Sequence, residues 1–128
     1  MYMTKQGFPY HSGVSYQTAG TKGICMHLLR LPPGAVEKAH LHRDHETAIY
    51  VVSGSAELRY GERLEVYETI QAGEFLYIPP NVPHLPRNAS DTEECVVVLA
   101  RTDPNEQESV VLLPDLDALA SDWPRSSQ

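Results

Sequence analysis

A chain of 128 residues and 14.3 kDa has room for one hydrophobic core and not for two. Its 41% hydrophobic and 21% charged residues are ordinary for a folded domain, while a formal charge of −7 and a pI near 5.2 argue against a nucleic acid or an anionic lipid surface as partner. No run is long enough for a membrane span or for the core of a secretion signal, so a cytoplasmic location is expected.

Residues 1–22 carry apolar positions at Phe8, Tyr10, Val14 and Tyr16 without a clear element. The run 23–31 (GICMHLLRL) has the length and content of a strand. Two short strands, 48–53 (AIYVVS) and 55–60 (SAELRY), flank Gly54, and 63–69 (RLEVYET) alternates apolar with polar. The run 74–78 (EFLYI) ends against Pro79 and Pro80, and 95–101 (CVVVLAR) and 109–113 (SVVLL) complete the series. A short helix is predicted over 115–122, and 124–128 should fray. Short strands punctuated by 10 prolines and 8 glycines indicate an all-β sandwich or barrel. The expected organisation is one domain over 1–128, with a core at about 23–113 and extensions at 1–22 and 114–128. Cys25 and Cys95 lie in apolar runs without the close spacing of a redox or zinc motif, and they read as buried free thiols.

Three of the 6 histidines crowd into 39–46 (AHLHRDHE). His40 and His42 stand two apart, which on a strand puts both imidazoles on one face, where they can converge on one ion. His45 and Glu46 follow at once, so a further imidazole or a carboxylate is at hand. Downstream, a strand runs from Gly73 into Pro79, Pro80, Asn81, Val82 and Pro83 and then presents His84, with Asn88 beyond it.

These two segments resemble the motifs of the cupin superfamily. The first, G-x5-H-x-H-x3,4-E-x6-G, is matched by Gly34, His40, His42, Glu46 and Gly54 with one extra residue before the last glycine. The second, G-x5-P-x-G-x2-H-x3-N, is matched by Gly73, Pro79, Asn81, His84 and Asn88, with Asn81 where the family has glycine. Asparagine is the best substitute for glycine where a turn needs positive φ. The resemblance covers about 23–101. It implies an antiparallel jelly-roll (double-stranded β-helix) barrel of six to eight strands. It also implies an internal site in which His40, His42, Glu46 and His84 bind one divalent transition metal, Fe, Mn, Ni, Zn or Cu. Counting back from Gly54 instead lands on Thr47 at the position of the family's glutamate. Without a bulge, Glu46 then faces away and His45 shares the parity of Thr47, so Glu46, His45 and a water molecule remain alternatives for the fourth position.

Function is less determined, because this fold hosts unrelated activities. The expected activity is that of a metal-dependent, dioxygenase-like enzyme on a small metabolite. The alternatives are a non-catalytic small-molecule or sugar-binding module and a sugar-phosphate isomerase, and the acidic balance disfavours the last. Arg87 and Arg101 read as solvated surface residues, with an anion anchor at the barrel mouth as the alternative; His27 reads as a packed residue. A homodimer is expected, built on the apolar positions of 8–18 and of the tail, Leu112, Leu113, Leu116, Leu119 and Trp123.

Overall fold

The computed structural model of the chain describes residues 2–3, 5, 7, 9–106 and 109–119. Two antiparallel sheets face each other. The first runs in the order β1 (Tyr2–Met3), β2 (Pro9–Val14), β3 (Cys25–Leu31), β10 (Cys95–Arg101), β5 (Thr47–Ser53), β8 (Phe75–Ile78). The second runs β11 (Val110–Leu112), β4 (His40–His42), β9 (His84–Asn88), β6 (Ser55–Tyr60), β7 (Val66–Gln71). The chain thus takes the jelly-roll, double-stranded β-helix architecture, as two facing layers. It has more strands than expected because the N-terminal residues add β1 and β2 to the first sheet and the tail adds β11 to the second.

Alternation along the strands fills the space between the layers. On β3, Leu29 and Leu31 point inward; Val51 does so on β5, and Val97 and Leu99 on β10. With Leu58, Ile70, Tyr10 and Cys95 they form the main core. Truncating one such leucine to alanine typically costs about 2–5 kcal/mol. Both cysteines are buried and free. On β8 it is Leu76 and Ile78 that turn inward, while Phe75 and Tyr77 are exposed. Gly54 joins β5 to β6 at φ 78, and a Cβ there would lie 2.6 Å from the Glu94 carbonyl oxygen, so no side chain fits. Asn88 ties neighbouring loops together: its Nδ2 donates to the Leu31 and Glu93 carbonyls at 3.0 and 2.7 Å, and its Oδ1 accepts from Ser90 N–H at 2.9 Å.

Three local readings differ. The strand expected from 63 begins at Val66, because Leu64 adopts φ 54 and is fully buried against Ala39 and Leu85. The helix expected over 115–122 is a single turn, α2 (Pro114–Asp117), whose Leu116 packs with Leu113 on that small cluster. Asp117 accepts the Ala39 N–H at 2.6 Å, and Arg59 donates to the Leu119 carbonyl, so the described tail closes over its own second sheet. An unforeseen turn, α1 (Tyr16–Ala19), follows β2, and Ser15 caps it. β2 itself pairs along β3 of the same chain and sends Tyr10 into the core. Phe8, Trp123 and 124–128 lie outside the described residues.

Candidate metal centre

β4 is a three-residue strand, and alternation turns His40 and His42 inward while Leu41 is half-buried between them. His40 stands opposite His84 in the β4–β9 ladder. β9 starts at His84 because the proline-rich turn before it admits no earlier pairing. Asn81 in that turn has φ 65, as its glycine-equivalent position requires. Its amide and Asp44 bond reciprocally: Asn81 Oδ1 accepts Asp44 N–H at 3.0 Å, and Nδ2 donates to Asp44 Oδ1 at 3.2 Å. Asn81 N–H also donates to the His42 carbonyl at 3.0 Å. The turn that precedes His84 is therefore latched to the strand end that carries His42.

The three imidazoles form one buried group, with one ligand nitrogen from each lying within 4.8 Å of the others. Ring centroids are 4.2 Å apart for His40 and His84, 5.2 Å for His40 and His42 and 5.7 Å for His42 and His84. His40 Nδ1 lies 2.7 Å from the Lys38 carbonyl and His84 Nδ1 lies 3.0 Å from the Val82 carbonyl. A carbonyl only accepts, so both Nδ1 atoms carry the hydrogen and both Nε2 atoms present lone pairs. His42 Nδ1 is 3.3 Å from Ser109 Oγ, and its buried Nε2 has no hydrogen-bond partner among the described residues. Such tying of the far nitrogen is how metal-binding imidazoles are oriented. Burial pushes all three below the usual imidazole range, His84 to about 4, so each is a neutral base at pH 7. Three buried neutral nitrogens with one orphaned lone pair fit a divalent transition metal.

The structure does not bring Glu46 into this group. No bulge intervenes before β5: Thr47 and Val51 are buried, so Glu46 faces outward. Its backbone is fixed by Thr102, whose Oγ1 accepts Glu46 N–H at 2.9 Å and whose N–H reaches the Glu46 carbonyl at 3.1 Å. Its carboxylate instead accepts the Tyr77 hydroxyl at 2.7 Å. His45 is also outside the group, with Nδ1 3.7 Å from Asp103 Oδ2. Thr47 takes the inward position, where its Oγ1 accepts from Arg101 Nε at 3.0 Å.

Beside the histidines lies an internal cavity of about 50 Å³, whose polar lining is Tyr10, Glu37, His40, Thr47, Glu57, His84 and Arg101. Two of these differ from the sequence expectation. Arg101, read as solvated, is 4% exposed, because it is the inward residue that follows Val97 and Leu99 on β10. Arg87 is instead paired with Glu57 at 2.8 Å. Glu37, three residues before His40, is buried, and burial pushes its carboxyl up to about 8 despite the nearby Arg101 charge. Nothing in the local pattern marks Glu37, and the run before Arg101 is apolar on both faces, so its alternation leaves the direction of Arg101 open. His27 packs against Tyr10 at 5.7 Å, away from the three-histidine group.

A family model describing the cupin domain matches residues 27–100. The chain is a cupin. A search of curated proteins finds no match. Among solved structures this cupin superposes on an oxalate oxidase in complex with the substrate analogue glycolate, with TM-score 0.71 and 22% identity over 87% of this chain and 57% of that one. It also superposes on a conserved protein with a double-stranded β-helix domain from Klebsiella pneumoniae, at TM-score 0.70 and 18% identity, over 89% of this chain and 85% of that one. These two likenesses show the shared fold. An oxalate decarboxylase from Bacillus subtilis, described by its Mn(II) centres, is 25% identical at TM-score 0.66, over 78% of the cupin and 26% of the decarboxylase. The cupin thus spans little more than half of the oxidase and about a quarter of the decarboxylase.

Proposed function

We propose that this cupin binds one divalent transition metal through His40, His42 and His84 and acts as a metal-dependent, dioxygenase-like enzyme on a small metabolite. The observation that carries the reading is the preparation of the three imidazoles: each has one nitrogen tied, leaving the other for a metal. Imidazole donors suit Fe, Ni, Zn and Cu, and the Mn(II) of the decarboxylase adds manganese, which would draw its oxygen ligands from water or substrate, to the ions to test. When bound, the metal would supply Lewis-acid and redox chemistry at the positions that three protein donors leave open.

The chain's own part is positioning. The Lys38 and Val82 carbonyls hold two rings in one tautomer. Leu29, Leu31, Val97 and Leu99 supply an apolar wall to the cavity. Glu37, held in its acid form at neutral pH, keeps a proton on a carboxyl that lines the cavity. Elemental analysis of natively purified protein, followed by an oxygen-uptake screen, tests the reading. One equivalent of metal with oxygen consumed on a substrate supports it. Metal with tight ligand binding and no turnover favours the non-catalytic module.

We further propose that the cupin is a homodimer that buries the outer face of the first sheet. Met26, Val52, Phe75 and Tyr77 are exposed there, and Tyr50 stacks beside Phe75 at 4.8 Å. This patch replaces the terminal segments as the expected interface, because β2 and the described tail pack on their own sheets. A mass near 14.3 kDa by light scattering at micromolar concentrations would rule the dimer out.

A further inference from the structure

Arg101 ends β10, and strand alternation carries its side chain into the cavity. It is nearly fully buried, yet among the described residues no carboxylate lies within the 4.0 Å of an ion pair. Its side-chain partners are neutral: Nε donates to Thr47 Oγ1 at 3.0 Å, and the Tyr10 phenol is bonded to the same guanidinium. A buried cation is retained against its desolvation when something anionic completes it. A second group in the same cavity is also incomplete. Glu37 Oε2 is buried and has no hydrogen-bond partner among the described residues. Among the described residues, a guanidinium with no carboxylate within 4.0 Å and a carboxyl oxygen with no hydrogen-bond partner therefore border one small space beside His40 and His84.

We propose that Arg101 is the anion anchor of this cavity and that the ligand class is a small aliphatic carboxylate. Its carboxylate meets the guanidinium, and a neighbouring oxygen faces the histidines. Only that second contact rests on the metal reading above. The cavity, about 50 Å³, holds a few non-hydrogen atoms. One planar guanidinium matches one planar carboxylate. Glu37 in its acid form would donate to the ligand, whereas a phosphate would set a second negative charge beside that carboxyl.

Calorimetric titration with glycolate and its uncharged counterpart glycolamide, on metal-loaded and metal-free protein, tests this. Wild type is expected to bind glycolate at least about 10-fold more tightly than glycolamide, because only the charged form gains charge-assisted bonds. Arg101→Gln should lose about 10-fold or more in glycolate affinity with metal content retained, and Arg101→Lys should recover part of it. Equal binding of the two probes, or an unchanged affinity in Arg101→Gln, overturns the anchor. If Arg101→Gln fails to fold, the preference of metal-free wild type decides the matter, because a bound metal would itself favour the carboxylate. Metal-loaded wild type that binds no glycolate overturns the anchor and leaves the metal reading standing. Protein that takes up no metal but binds glycolate through Arg101 supports the anchor and defeats the metal reading.

Discussion

The five-stranded sheet brings His40 and His84 to the cavity, with His42 grouped behind them, as neutral bases, whereas the six-stranded sheet opposite brings Thr47 and Arg101, a hydroxyl and a guanidinium. The histidine wall is prepared locally. Two of its rings are held by carbonyls only two residues away in sequence. The other wall is prepared by pairing across the chain, since Thr47 and Arg101 meet only in the β5–β10 ladder. The walls are also electrostatically coupled. After burial itself, the Arg101 charge is among the influences that hold the imidazoles unprotonated. That keeps the lone pairs ready, but a metal between the walls would face an opposed cation. On the proposed reading, the negative charge of a ligand between the walls would offset both.

The largest effect should come from breaking the histidine wall. His40→Ala and His84→Ala are each expected to weaken metal binding by more than about 100-fold, beyond the 10- to 100-fold typical of groups that only orient a ligand. Competition against a chelator measures this, and circular dichroism checks that the sheets persist. Ser109→Ala removes only the 3.3 Å contact to His42 Nδ1, so a loss of about 10-fold is expected. A Ser109→Ala effect as large as that of His84→Ala would erase the distinction between holding the metal and orienting a ring.

Titration sharpens the picture, because His84 and Glu37, both attached to the five-stranded sheet and lining the cavity, respond to pH in opposite senses. Burial holds His84 down to about 4 in the folded chain, below the 6.5 of a free imidazole. The unfolded chain therefore binds the proton more readily, and this contribution to stability, complete above pH 6.5, is lost as pH falls toward 4. Burial holds Glu37 up to about 8, above its ordinary 4.5, so its contribution is present below 4.5 and lost as pH rises through 8. Urea melts of metal-free protein should show His84→Asn flattening the acid limb and Glu37→Gln the alkaline limb. If each variant flattens the other limb, the assignments are reversed. The smallest effect belongs to Glu46→Gln, expected to change metal affinity by less than about 2-fold, since removing an outward surface contact rarely matters. A loss comparable to that of His84→Ala would return Glu46 to the ligand set.

What the sequence revealed follows the same division. His40 and His42 two apart, a proline turn ahead of His84 and an asparagine suited to positive φ are local signals, and all the features they announce are present. The choice between Glu46 and Thr47 was not local. The spacing of the first motif admits either, and parity is set by β10, some fifty residues downstream, whose Arg101 pairs with Thr47. In CVVVLAR both faces are apolar until the last residue, so alternation alone could not say which way Arg101 points. The terminal segments show a third kind of ambiguity. Their apolar residues announce burial, but strand pairing uses the same backbone bonds whether the neighbour belongs to the same chain or to another. Here β2 and β11 pair within the chain.

The inward position of residue 47 decides how a metal centre here would be completed. A glutamate there would sit beside the Arg101 guanidinium and face the histidines. It would cancel the cation and offer the centre a fourth protein donor. The threonine does neither, so on the proposed reading both the guanidinium and the open positions of a bound metal would be left to the ligand. A lineage could therefore cross from a centre completed by its own carboxylate to one completed by its substrate's through one substitution. The three histidines, the Asn81 latch and the sheet register would not have to change.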